Sequence, residues 1–212
     1  VRGAIITGAG EKSFSAGADI RCLNKFTPLE VREFAGLAVS VYRKIGNLGK
    51  VVIAAINGYA LGGGLELAEA CTLRIAARHA KMGHPEVRIG AVAGWGGTTR
   101  LPRLIGMGRA AELLLTGKTI PADEAYGMGL VNRVADQGAL ASEAESLLWE
   151  ILSQAPVAVT LTWEAMQRGG NMTLEESLLL GVDYFGLAAS TDDFREGTRA
   201  FIEKKTPLFK GR

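Results

Sequence analysis

The residues of this chain best suited to chemistry are Glu66, Glu86 and the run Gly62-Gly63-Gly64. The glycines precede a short helix expected over residues 65–71, so unpaired N–H groups at its head can point at an anion. Glycine lets main chain approach a ligand closely, which an oxyanion site made of backbone requires. Glu66 falls in the first turn of that helix, and Glu86 follows Pro85. Taken singly, each also reads as an acidic first-turn residue that complements a helix dipole. Set together beside glycine-rich backbone, they are carboxylates able to move protons next to a developing oxyanion.

Competing chemistries lack a residue each. In Gly8-Ala9-Gly10-Glu11-Lys12-Ser13, a phosphate loop would need glycine where Glu11 stands, and a dinucleotide fingerprint would need it at Ser13. The turn after a strand is the simpler reading. His79 and His84 are the only histidines, with no cysteine or carboxylate spacing to complete a zinc site, so no metal is expected. No Gly-x-Ser-x-Gly elbow occurs, and His84 reads as a packing or loop residue rather than a base.

The elements that must position the glutamates alternate in type. Gly3–Thr7 and Val51–Ile56 read as buried strands, each followed by glycine-rich turns, with residues 73–76 a further strand. Residues 11–19 read as a polar loop. Thr27-Pro28-Leu29-Glu30 predicts a helix start with a capping box, and Val31, Phe34, Leu37, Ala38, Val41 and Ile45 hold its period until Gly46. Residues 83–97 read as loop, with Thr98 or Thr99 capping the next helix. A strand is expected over residues 130–134 and helices near 139–154, 157–168, 173–189 and 192–205. The class is therefore α/β, with a core over residues 1–135 and a helical part over 136–212.

Composition excludes some partners. The 212 residues include 48% hydrophobic and 22% charged side chains at a net charge of +2, too little to indicate nucleic acid or an anionic membrane. The helix carrying Arg32, Arg43 and Lys44 also carries Glu30 and Glu33, a solvated surface rather than a basic RNA-binding face. The stretch over residues 51–65 is too short and broken to span a bilayer. Cys22 and Cys71, the only cysteines, suggest a reducing setting: the cytoplasm, or the mitochondrial matrix after loss of a transit peptide. The opening at Val1, already inside a strand and without Met, leads us to expect a preceding segment.

Longer stretches make the pattern specific. Ser15-Ala16-Gly17-Ala18-Asp19-Ile20, the block from Val52 to Ala68, Gly83-His84-Pro85-Glu86-Val87 and Gly96-Gly97-Thr98-Thr99-Arg100-Leu101 follow one another in order. Thr116-Gly117-Lys118 and Gly129-Leu130-Val131 complete the series. In these the chain resembles the enoyl-CoA hydratase (crotonase) family, from Val1 to about Lys210. The resemblance implies a ClpP/crotonase-type spiral of ββα units, lacking the family's N-terminal strands, and a helical C-terminal region that takes part in trimerisation.

The resemblance also implies roles. The N–H groups of Ala18 and Gly63 would hold the thioester oxygen. Glu66 would deprotonate a water for attack at C3, and Glu86 would deliver a proton to C2. Asp19, Ile20 and Gly62 fall in the substrate-binding blocks, and the Ala16 carbonyl falls where relatives meet the adenine amino group. Phe185 and Lys204 map to contacts with the adenine and phosphate end of coenzyme A; from the sequence alone they read equally as a core aromatic and a solvated lysine. Trp95 stands where straight-chain hydratases carry a small residue. It either shortens the acyl pocket, or favours a branched or aromatic acyl group, or packs outward. Coenzyme A would enter only as part of the substrate thioester, and the assembly would be a homotrimer or a dimer of trimers. A Δ3,Δ2-enoyl-CoA isomerase, or another acyl-CoA enzyme of the family using the same enolate, is the alternative; an isomerase would need one proton shuttle, whereas both glutamates are present here.

Overall fold

The computed structural model describes residues 1–212. The chain divides into two compact units, Gly3–Ser146 together with Val1, and Leu147–Arg212 together with Arg2. The first begins with β1 (Gly3–Thr7), β2 (Ser13–Ser15), α1 (Ile20–Leu23), α2 (Pro28–Gly46), β3 (Val51–Ile56), β4 (Tyr59–Leu61) and α3 (Gly63–Ala70). There follow β5 (Leu73–Ala77), β6 (Lys81–Gly83), a 3-10 turn (Glu86–Ile89), α4 (Gly97–Ile105) and α5 (Met107–Thr116). Then come β7 (Thr119–Pro121), α6 (Ala122–Met128), β8 (Arg133–Ala135) and the start of α7 (Leu140–Leu152), whose residues from Leu147 on belong to the second unit.

Two four-stranded sheets form from these strands, in the orders β1-β3-β5-β8 and β2-β4-β6-β7. The first is parallel throughout; the second is parallel except for its β6–β7 edge. Each of the first three strand pairs thus sends one strand to each sheet, a spiral of ββα units. All six residues of β3 are buried, so the sequence shows an unbroken apolar run instead of alternation. Ile56, Ala60, Leu65, Ala68, Met82, Leu101, Leu113 and Leu130 belong to the core cluster that lies against both sheets.

Asn57 ties the sheets' first turns together. Its Nδ2 donates to the carbonyls of Gly8, Gly10 and Ser13 at 3.2, 2.7 and 3.3 Å, and its Oδ1 accepts from the Gly8 N–H at 3.0 Å. One buried amide therefore satisfies the loop between β1 and β2, whose backbone would otherwise be left unpaired.

Several elements differ from expectation. Residues 11–19 contain β2, a three-residue strand recruited by pairing with β4 rather than by any apolar pattern of its own. α3 starts at Gly63 instead of residue 65, with Gly62 as its N-cap at φ 52°. α4 is capped by Gly96, and Thr98 and Thr99 lie inside it. β8 begins only at Arg133; Leu130 and Val131 are buried core residues ahead of it, not strand members.

The second unit holds α8 (Pro156–Gly169), α9 (Leu174–Ala189) and α10 (Asp192–Glu203). A capping box at Thr173 and Glu176 starts α9, and the buried Asp193 carboxylate accepts from the Lys210 and Gly211 N–H groups at 2.6 and 2.7 Å. Leu174, Leu178, Leu179, Val182 and Phe185 of α9 remain exposed. No helix is long and apolar enough to cross a membrane.

Asn57→Ala should lower the stability of the first unit by about 1–3 kcal/mol, because it strands several buried groups at once. Urea denaturation followed by circular dichroism measures this; an unchanged midpoint would contradict the role given to Asn57.

Candidate active site

The head of α3 is pressed against the loop after β2. A Cβ on Gly64 would lie 2.0 Å from the Ser15 carbonyl oxygen, so only glycine permits this approach. A Cβ on Gly17 would lie 2.9 Å from the Gly63 nitrogen, which puts the residue before Ala18 directly beside Gly63. Neither the Ala18 nor the Gly63 N–H donates to a protein acceptor. The Tyr42 hydroxyl from α2 donates to the Gly63 carbonyl at 2.8 Å and fixes the helix head from behind. Burial and the Glu66 charge push that phenol up to about 12, so it stays a donor.

Glu66, one turn further along α3, is buried at 1% exposure. The N–H groups of Trp95 and Gly97 both donate to its Oε1 at 2.7 Å. Burial raises its carboxyl above the usual range; the Gly97 hydrogen bond and the His84 charge oppose this, and the Glu86 charge adds to it. Glu86 opens the 3-10 turn, its side chain 15% exposed. A Cβ on Gly62 would meet Glu86 Oε1 at 2.9 Å, so this carboxylate faces the backbone at the start of α3. The Gly62 N–H donates to the Gly83 carbonyl at 3.0 Å and joins that start to the end of β6.

Trp95 points inward. A Cβ on Gly63 would lie 2.2 Å from its ring, and the ring makes edge contacts with Phe34 and Tyr42 at centroid distances of 5.4 and 6.2 Å. Arg100 holds the same loop, donating to the Trp95 carbonyl at 3.2 Å.

The remaining residues singled out from the sequence spread further. Ala16 is exposed and lines an open cleft of about 840 Å³ with Lys12, Tyr59, Leu61 and Gln137. Asp19 caps α1, accepting from the Arg21 N–H at 2.8 Å, and Ile20 is half exposed. In the second unit Phe185 is 69% exposed and meets Phe194 edge-on, so it is not a core aromatic. Lys204 is exposed and ends α10 in the left-handed region at φ 56°. The structure brings Ala18, Gly62, Gly63, Glu66, Glu86 and Trp95 to one place.

A profile of the enoyl-CoA hydratase/isomerase family matches residues 1–212. The chain belongs to the enoyl-CoA hydratase/isomerase family. It is 47% identical over 205 residues to the crotonyl-CoA hydratase of Syntrophomonas wolfei, covering 97% of this chain and 79% of that one. It is 46% identical to the short-chain-enoyl-CoA hydratase of Clostridium acetobutylicum over 209 residues, 98% of this chain and 80% of the other. Its fold matches the crystal structure of an enoyl-CoA hydratase from Bacillus anthracis with a TM-score of 0.95 at 43% identity, covering 100% of this chain and 82% of that one.

One group near the site escaped sequence reasoning. His84, read there as a packing or loop residue, is buried at 1% exposure with Nε2 2.8 Å from Glu69 Oε1 and Nδ1 3.7 Å from Glu86 Oε1. The available signal was spacing: Glu69 lies three residues after Glu66 on one helix face, as His84 lies two before Glu86.

The raised Glu66 carboxyl has a consequence for stability. The folded chain holds that proton more tightly than the unfolded one, so stability falls as pH rises from the ordinary carboxylate value through the raised one. Glu66→Gln removes this penalty and can keep both N–H bonds. Its melting temperature at pH 8 should equal or exceed that of the unaltered chain, the difference shrinking toward pH 5. A variant markedly less stable at pH 8 than at pH 5, relative to the parent, would contradict the assignment.

Proposed function

We propose that this chain is an enoyl-CoA hydratase, adding water across the C2=C3 double bond of a 2-enoyl-CoA to give the 3-hydroxyacyl-CoA. The observation that carries the reading is the pinning of Glu66 Oε1 by two N–H donors, which leaves Oε2 to hold and deprotonate a water. The thioester oxygen would sit between the Ala18 and Gly63 N–H groups, which bind it more strongly as it gains enolate charge. Water oxygen bonds to C3 as its proton passes to Glu66; C2 takes a proton from Glu86. Return of one proton from Glu66 to Glu86 resets the site.

Trp95 supports a short acyl chain, because its ring occupies space directly against Gly63. The names borne by the Syntrophomonas and Clostridium relatives agree with that size. Coenzyme A would run past Ala16, Asp19 and Ile20, the Ala16 carbonyl accepting from adenine, with Phe185 and Lys204 contributing at the nucleotide end across a subunit boundary. The exposed apolar side chains of α9, with Phe201 and Ile202 of α10, suit the helical region of residues 136–212 to a homotrimer or a dimer of trimers. Cys22 and Cys71 are both free thiols, in keeping with a cytoplasmic or mitochondrial-matrix setting.

Purified protein should consume crotonyl-CoA, read as loss of the conjugated-enoyl absorbance. Glu66→Gln and Glu86→Gln should each lower kcat by roughly 10²–10⁴-fold. The double variant should lose little more, since the two carboxylates act as a unit. An inactive parent that still binds acyl-CoA would overturn the reading. Trp95→Ala should raise kcat/KM for an eight-carbon enoyl-CoA relative to crotonyl-CoA by about tenfold or more. An unchanged ratio would remove Trp95 from the acyl pocket.

A further inference from the structure

Glu69, His84 and Glu86 form a buried line with an unusual pattern of satisfaction. His84 Nε2 and Glu69 Oε1 stand 2.8 Å apart with both side chains wholly buried. On the other side, His84 Nδ1 faces Glu86 Oε1 at 3.7 Å, short of a hydrogen bond. Three atoms of this line, Glu69 Oε2, His84 Nδ1 and Glu86 Oε2, are buried without any partner. A polar group left so inside a core normally costs stability.

We propose that Glu69 and His84 are positioning residues for Glu86: Glu69 fixes the imidazole so that its Nδ1–H is aimed at the Glu86 carboxyl, orienting it and stabilising the carboxylate it becomes on giving its proton to C2. The inference rests on Glu86 being the proton donor of the proposed hydration. Charged groups act on the Glu69–His84 pair from each packed element: Glu66 from α3 and Glu86 from the 3-10 turn on the imidazole, Arg74 from β5 and Arg100 from α4 on Glu69. Burial opposes protonation of His84, but the Glu69 hydrogen bond and the charges of Glu69 and Glu86 outweigh it and push the ring up to about 10. The Arg74 guanidinium, itself fixed by donating to the Leu130 and Cys71 carbonyls at 2.7 and 3.0 Å, acts on Glu69 by charge alone.

Two measurements test this. The chain has only His79 and His84, so imidazole NMR resolves each without substrate. His84 should stay an imidazolium past pH 8 and titrate at clearly lower pH in Glu86→Gln and in Glu69→Gln. A His84 titration unmoved by Glu86→Gln would overturn the coupling. In kinetics, Glu69→Gln and His84→Gln should each lower kcat roughly 10–100-fold with KM within about twofold. Loss of the imidazolium removes the positive charge facing the Glu86 carboxyl, so the basic limb of the kcat profile should move to higher pH. The double variant Glu69→Gln/His84→Gln leaves no lone buried charge and should recover melting temperature without recovering kcat or the limb. Recovery of both, or profiles superimposing on the parent, would show a packing role only. A parent inactive as a hydratase would remove the proposed function, while the NMR coupling would still decide whether the pair controls Glu86.

Discussion

The main chain of Ser15 to Gly17 rests directly on the head of α3, at a separation that no side chain at Gly64 would allow. This contact brings two segments from different ββα turns, one after β2 and one after β4, to a common point. With Gly62 at φ 52°, α3 can begin at that point, its Gly63 N–H left without a protein acceptor. Glu66 follows one turn later, and the loop carrying Trp95 closes over it with two hydrogen bonds. The glycine approach thus decides where the Gly63 N–H and the Glu66 carboxyl sit with respect to one another.

The second constraint is electrostatic. Glu66 and Glu69 lie on one buried face of an eight-residue helix, and Glu86 stands across from them. Carboxylates so close cannot all ionise cheaply in a dry interior. The structure relieves the crowding unequally. Glu66 receives two backbone donors, Glu69 receives the His84 imidazole, and Glu86 meets that same imidazole at longer range. Such inequality suits the proposed roles, in which one carboxyl accepts a proton while another gives one.

Strong local signals in the sequence were legible. The capping box of α2, with its Thr27 and Glu30 bonds, and the all-apolar β3 follow from neighbouring residues alone. Glu66 and Glu86 stood out because glycine and proline frame them. What escaped depended on distant partners. β2 exists because β4 lies beside it, and the start of β8 is set by Asn132, whose side chain accepts from the Arg74 N–H. His84 looked inert because its partner Glu69 lies fifteen residues away. The inward turn of Trp95 likewise depends on Phe34 and Tyr42 from another helix.

The most direct test of two-carboxylate hydration is to run the reaction on crotonyl-CoA in ¹⁸O-labelled heavy water and analyse the product by mass spectrometry and NMR. Two-carboxylate hydration requires one ¹⁸O at C3 and one deuterium at C2 of a 3-hydroxybutyryl-CoA. A product with a shifted double bond and no ¹⁸O would contradict it, leaving the glutamates as a proton shuttle with no water between them.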